Sequence, residues 1–388
     1  MCDNYRGIAF FLLSVPGKVL SLILLERLQA IIDPQLLESQ CGFWKGRGTT
    51  DQIWLTRQII ERAVEFEKTA HLCFTKAYDS VDRDALITIL KNYKVPCHLI
   101  DIIKEMYTDT WCQVKIAEGS SEEFKVESGV RQGCVLSPLL FNCFMDKILR
   151  ETLETTPGGW SIEYTTTEGL FLTYREKTPT TTNIRNVQYA HDLTMVPESG
   201  EELQFMVDTL DRACMWWGMT INGMKTKTMS IGEETDDDQP AITLRGNMLE
   251  AVEAFSYLGS EVGRTARVDG DVRARLEKAA TVYQMWRRKV FRSSSVSKKT
   301  KIHVFQVMVM SVLLYGAETW VVTQQDLRRL HAFQMKCLRD FVGVTLWDKR
   351  RNKDISEETG ALPVEDQLKL RRLQWFGHLQ RMSDRRPQ

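Results

Sequence analysis

Neither sign of charge is in excess: 51 Lys and Arg stand against 51 Asp and Glu in 388 residues. A neutral total predicts no strong electrostatic partner and is mildly unfavourable for a nucleic-acid binder, although local blocks of charge still count. There is no C-x-x-C pair, and the nine cysteines, an odd number, lie among only six histidines. That argues against a zinc module and a disulfide framework and for reduced, mostly buried thiols in an intracellular protein. A long apolar run is also missing. The stretch 8–25 is interrupted by Pro16-Gly17-Lys18, with no strongly basic leader and no small-residue cleavage site. Its pieces are too short for a bilayer, so no signal peptide or transmembrane segment is expected, and the protein should be nuclear or cytoplasmic. No internal repeat is visible. What is present is ordinary globular composition, 43% hydrophobic and 26% charged, in a length that suggests about two or three domains or lobes.

Along the chain, Val19, Leu20, Leu22, Ile23, Leu24, Leu28, Ile31 and Ile32 recur at helical spacing and stop at Asp33-Pro34. Residues 42–48 form a glycine-punctuated turn, after which Thr49, Thr50 and Asp51 offer capping groups for a helix to about Lys68. Residues 70–75 have the character of an interior strand, followed by turn and cap residues at 78–82. The stretch 112–116 pairs with 124–127 across a polar loop at 118–121, and a glycine turn from Ser128 feeds a helix with Pro138 near its start. Residues 160–182 are threonine-rich, as exposed strands are. Two short apolar strands, 187–190 and 193–196, flank His191-Asp192, and Ser199-x-x-Glu202 is a capping box for a helix to about Trp217. The acidic run 233–238 reads as a solvated loop. Amphipathic patterns over 268–340 and a basic tail over 368–386 predict a separate helical lobe.

Seven blocks carry more than local structure. They are Asn4-Tyr5-Arg6-Gly7-Ile8; Gln40-Cys41-Gly42-Phe43 with Gly48-Thr49-Thr50-Asp51-Gln52; Lys76-Ala77-Tyr78-Asp79-Ser80-Val81; Gly129-Val130-Arg131-Gln132-Gly133 to Ser137-Pro138; Tyr189-Ala190-His191-Asp192; Asn222 to Lys225-Thr226-Lys227; and Phe255-Ser256-Tyr257-Leu258-Gly259. In this order they resemble the reverse transcriptases of non-LTR (LINE-like) retrotransposons over residues 4–262, and more weakly beyond. The resemblance implies an α+β, right-hand polymerase fold. It would have a fingers-like region 1–68, a palm-like region 69–262 with some fingers elements and a small antiparallel sheet packed on helices, and a helical thumb and C-terminal basic region 263–388. It also implies RNA-directed DNA polymerase chemistry, with an RNA template and a DNA primer as partners and Mg²⁺ or Mn²⁺ as cofactor.

Nucleotidyl transfer of this kind uses two divalent ions held by carboxylates. In the family one aspartate precedes the K-A-F/Y-D-S block and two stand at the Tyr-Ala-Asp-Asp tip; here those positions are Cys73, His191 and Asp192. Thiolate is a soft ligand and imidazole a borderline one, so neither replaces the hard oxygens Mg²⁺ requires. The site is expected to be incomplete, and the enzyme impaired. Asp79 is a poor substitute because it suits a helix cap better; a zinc site of Cys73, His191 and Asp192 competes with simple mutational drift.

Other positions carry implied nucleotide-binding roles. Tyr78 matches a steric gate against the ribose 2′-hydroxyl, with a core tyrosine as the competing reading. Gly129, Gln132 and Gly133 match a block where the backbone approaches nucleotide and template, glycine being needed to avoid obstruction. Lys225 matches a triphosphate-side lysine, or is a solvated surface residue; Arg6 matches a phosphate-contacting arginine. Trp44 departs from the usual basic residue and either stacks on a base or is an apolar substitution. In the segment 369–382, cations and aromatics track a nucleic-acid backbone, or Leu370, Leu373, Phe376 and Leu379 pack inward with the arginines outward.

Three functions compete. A disabled, retrotransposon-derived reverse-transcriptase-like protein is preferred over a nucleic-acid-binding or scaffold protein without enzyme activity, and over an active polymerase. The chain starts inside the fingers-like region without an upstream endonuclease domain, so self-contained transposition is not expected and a fragment of a longer element is one reading. The sequence leaves the oligomeric state open.

Overall fold

The apolar periodicity near the N-terminus folds as α1, Val15–Ile32. Pro16 occupies its first turn, where a missing amide hydrogen costs nothing. The helix passes at Asp33-Pro34 into one 3₁₀ turn, Asp33–Gln35. The computed structural model describes residues 15–44, 46–76, 81–116, 119–131, 133–156, 158–166, 178–232 and 240–382. It divides into two units, Met1–Gln52 with Phe66–Val252, and Ile53–Glu65 with Glu253–Gln388.

After α2, Thr49–Glu65, come strand β1, Ala70–Lys76, and helices α3, Arg83–Asn92, and α4, Cys97–Tyr107. The cap of α3 is Asp82, whose Oδ1 accepts from Ala85 N at 2.8 Å; Asp79, expected in a capping role, lies outside the described residues. Trp111–Cys112 pairs with Phe124–Lys125, and inside that pair Lys115–Ile116 meets Gly119–Ser120. Gly119 and Ser120 are thus paired strand residues rather than loop. Helix α5, Ser137–Thr155, carries Pro138 in its first turn. Strands β2, Trp160–Thr166, and β3, Thr178–Ile184, pair antiparallel, and β4, Asn186–Tyr189, forms a tight hairpin with β5, Asp192–Met195. Helix α6, Gly200–Trp216, is capped by Ser199 Oγ, which accepts from Glu202 N at 3.2 Å. The return bond of a capping box is replaced, since the Glu202 carboxylate accepts from Gly159 N and Glu198 N at 2.7 and 3.1 Å. Strands β6, Lys227–Ile231, and β7, Glu250–Ala251, complete the first unit.

Its main sheet has the order β7-β6-β1-β5-β4, antiparallel except for the β6–β7 pair. Cys73, Leu193 and Met195 share one apolar core with α1, α3, α4, α5 and α6. Burying each such leucine or isoleucine contributes roughly 1.5–3 kcal/mol. One polar knot lies within this unit: the fully buried Asp146 on α5 accepts from Leu37 N at 2.6 Å, from Arg150 Nε at 2.6 Å, and from the Tyr93 hydroxyl. It ties the segment after α1 to the helices. The fold class expected from the resemblance, α+β with a small antiparallel sheet on helices, is the one found.

The second unit opens with the hairpin of β8, Ala254–Tyr257, and β9, Ser260–Gly263, and continues through α7, Asp269–Trp286, α8, Lys298–Val304, α9, Gln324–Val342, α10, Asn352–Thr359, and α11, Val364–Leu379. Stacked and edge-on rings of Tyr283, Phe291, Phe305 and Phe341 fill its core. Buried Asp271 accepts from Arg57 Nη2 at 2.8 Å, Ser260 Oγ at 2.5 Å, Glu261 N at 2.9 Å and Trp320 Nε1 at 2.8 Å, with Arg275 Nε at 3.7 Å. Burial pulls both guanidiniums below their ordinary pKa, and Asp271 opposes that.

Helix α11 reverses one of the two orientations considered for it. Arg371 donates to Leu314 O at 3.0 Å and Glu318 Oε1 at 2.8 Å, and Arg372 to Trp320 O at 2.6 Å, while Leu370, Leu373 and Phe376 face solvent. Backbone carbonyls near a helix end need donors, and two guanidiniums supply them at the cost of turning the leucines out. Among the described residues no helix is long and apolar enough to cross a membrane.

Two stability outcomes are expected. Asp271→Ala strands two buried guanidiniums and should cost about 3–5 kcal/mol, read as a lower urea midpoint. At Asp340, burial raises the carboxyl, but hydrogen bonds from Arg287, Arg292 and Tyr283 outweigh it and hold the pKa at about 2. That contribution is complete above the ordinary carboxylate value of about 4 and disappears as pH falls through about 2. Unfolding measured between these limits should show a loss of stability that Asp340→Asn reduces.

Candidate functional site

Tyr189 and Asp192 form the last pair of the β4–β5 hairpin, leaving Ala190 and His191 as a two-residue turn in which Ala190 has φ +54°. A non-glycine residue in the left-handed region costs roughly 1–2 kcal/mol, so something must hold it. Gln40 does: its Oε1 accepts from Gly42 N at 2.7 Å and from Ala190 N at 2.9 Å. Cys41 N adds a bond to Gln188 O at 3.0 Å, and Asn142 Nδ2 on α5 holds Gly42 O at 2.7 Å. Glycine is required at 42 because a Cβ would lie 2.4 Å from Ala190 N. From the same helix, the Phe141 ring meets His191 edge-on with centroids 6.4 Å apart. Gln40, Gly42 and Asn142 were not expected as site residues; the available signal was the Gln40-Cys41-Gly42-Phe43 block, which says that the segment matters but not that it braces the hairpin.

Other blocks gather at the same end of the sheet. Lys227 opens β6 opposite Phe74, and the turn before it, closed by Thr226 N to Asn222 O at 2.9 Å, carries an exposed Lys225. Gly129 N donates to Val81 O at 2.8 Å, joining the glycine block to the chain just after β1. Gly129 and Gly133 have φ of +79° and +86°. Gly133 takes a left-handed backbone, and a Cβ on it would meet no protein atom within 4 Å. The Trp44 ring is covered by the Arg47 guanidinium at 3.6 Å from its centroid. Arg6, Tyr78 and Gln132 lie outside the described residues.

Cys73 is placed differently. It sits mid-strand, 0% exposed, and burial pushes its thiol up to about 12. In the ladder its neighbours are Met195 and Thr228, whereas the residue opposite Asp192 is Lys76. Three positions along a strand are about 10 Å, and an odd number puts the two side chains on opposite faces. Cys73 faces the helix-packed core, and Asp192 is half-buried on the other side. Among the described residues no three His, Cys, Asp or Glu side chains are grouped to hold a metal. A pair of hard cations needs several oxygen ligands on one face. Of Cys73, His191 and Asp192 only Asp192 offers a carboxylate, and the set does not fit such ions; nor can Cys73 join the other two in a tetrahedral zinc site from across the sheet.

An antiparallel sheet on helices, with a braced hairpin tip at one end and a glycine loop bonded to Val81 ahead of α3, is a polymerase-type arrangement. The family model for reverse transcriptase (RNA-dependent DNA polymerase) matches residues 2–262, and the chain belongs to that family. Relatives include the RNA-directed DNA polymerase from mobile element jockey of Drosophila melanogaster, 23% identical over 94% of this chain and 38% of the relative. The probable RNA-directed DNA polymerase from transposon BS of the same fly is 23% identical over 99% and 40%. The Pol polyprotein from type-1 retrotransposable element R2 of Popillia japonica is 25% identical over 84% and 43%. The chain thus spans about two fifths of the length of these relatives, and the expected resemblance to non-LTR retrotransposon reverse transcriptases holds. Among solved structures, telomerase from Candida albicans in complex with a fragment of telomeric RNA is similar at TM-score 0.44 and 11% identity, over 91% of this chain and 57% of that one.

The brace is testable by stability. Gln40→Leu should cost about 1–3 kcal/mol for each amide left unpaired, and Gly42→Ala about 1–3 kcal/mol through the clash with Ala190. Both are read from urea unfolding of the purified variants.

Proposed function

We propose that this chain is a retrotransposon-derived, reverse-transcriptase-like protein whose fold persists while nucleotidyl transfer is lost. In this reading the sheet and helices of the first unit correspond to fingers and palm, the helices of residues 263–388 to a thumb. An RNA template and a DNA primer are its ancestral partners, with Mg²⁺ or Mn²⁺ the ancestral cofactor. The observation that carries the reading is the placement of Cys73: a protonated thiol in an apolar core, on the sheet face opposite Asp192. His191, packed against Phe141 in the turn, brings no carboxylate in its place. Arg6, Tyr78, Gln132, Gly133 and Lys225 are the residues we assign to nucleotide and template contact in the ancestor.

The test is primer extension on an RNA template, with Mg²⁺ and separately with Mn²⁺, comparing the chain with Asp192→Asn. Metal ligation supplies several kcal/mol of transition-state stabilisation, so its loss should lower the rate by at least about a thousandfold. Both proteins are expected at the same background. The variant Cys73→Asp with His191→Asp should also stay silent and should unfold at lower urea, because a carboxylate at 73 is buried without a partner. Extension by the unaltered chain that Asp192→Asn abolishes would overturn the reading. Extension gained only by the double variant would overturn the placement of residue 73.

A further inference from the structure

Leu370, Leu373 and Phe376 are 50%, 68% and 59% exposed on one stripe of α11. Single exposed leucines are ordinary, but an apolar stripe on a helix anchored by arginines on its other side marks a contact surface. Gly377 follows directly after Phe376, within the helix. Glycine there lowers helix stability relative to alanine, and the Arg381 guanidinium lies beside it, 3.3 Å from where a Cβ would stand. The charges are divided between the ends: exposed Glu365 lies in the first turn and exposed Arg381 just beyond the last.

These residues are arranged symmetrically about Leu373. Three positions to either side are Leu370 and Phe376; four positions, Lys369 and Gly377; eight positions, Glu365 and Arg381. Laid antiparallel on a copy of itself with Leu373 at the centre, the helix sets Leu373 against Leu373 and Leu370 against Phe376. The aliphatic stem of Lys369 then crosses Gly377, and Glu365 meets Arg381 at each end. A parallel arrangement would instead bring like charges together. We propose that α11 is the face of a two-fold, antiparallel contact between two copies of this chain. With three apolar side chains per copy the contact is at the small end of specific interfaces, so the dimer is weak and concentration-dependent.

Sedimentation velocity on the full chain, at low salt and from about 1 to about 100 µM, tests this. The expected result is a shift from monomer to dimer across that range. Leu373→Glu, which opposes two carboxylates at the centre, should abolish the shift, with an unchanged unfolding midpoint because the position is exposed. Glu365→Arg and Arg381→Glu should each weaken dimerisation, and the two together should restore it, since the exchange recreates both end pairs. A monomer at every concentration overturns the proposal, including the case in which Leu373→Glu instead weakens binding of a single-stranded RNA oligonucleotide and the stripe is a nucleic-acid surface. A dimer unaffected by Leu373→Glu, or no recovery in the charge exchange, also overturns it.

Discussion

Alternation along a β-strand is the constraint on which the candidate site turns. Once Lys76 is paired with Asp192, the period of two decides which side chains of β1 share a face with the hairpin carboxylate, and Cys73 is not among them. The same alternation makes Cys73 useful elsewhere: with Leu193 and Met195 it belongs to the surface on which the helices pack. A small apolar thiol is well suited to that position, whereas an ionised group would be opposed by desolvation. The demand of the packed core at this residue is for a small apolar group, and the thiol meets it.

Around the hairpin the logic is one of backbone accounting. The left-handed Ala190 presents an amide that no strand partner can take, and Gln40 accepts it while also holding Gly42. Because Gln40 sits after α1 and Asn142 on α5, segments about a hundred residues apart meet at a turn of two residues. The hairpin tip is thus shaped by two side-chain amides from segments far from it in sequence.

Much of this was legible beforehand, for identifiable reasons. Helical periodicity and cap residues located α1, α2, α5 and α6, and paired apolar segments around His191-Asp192 located the hairpin, because local pattern and tertiary role agree there. The family resemblance supplied the fold class, which periodicity alone does not specify. What was missed depends on nonlocal partners. The role of Gln40 needs the position of Ala190; the inward turn of Arg371 and Arg372 needs the carbonyls of Leu314 and Trp320. The cap of α3, Asp82, falls within the 78–82 segment read as turn and cap residues. The left-handed backbone of Gly133 is a further reason for glycine there that the sequence does not separate from close approach.

The Asp271 knot also bears on motion in the second unit. One carboxylate, on α7, collects donors from α2, from the β8–β9 hairpin and from Trp320. Opening any one of these segments exposes a buried charge that the others still need, so local fraying there is suppressed until all open together. In hydrogen-exchange terms the amides near Arg57, Ser260, Asp271 and Trp320 are expected to behave as one slow class.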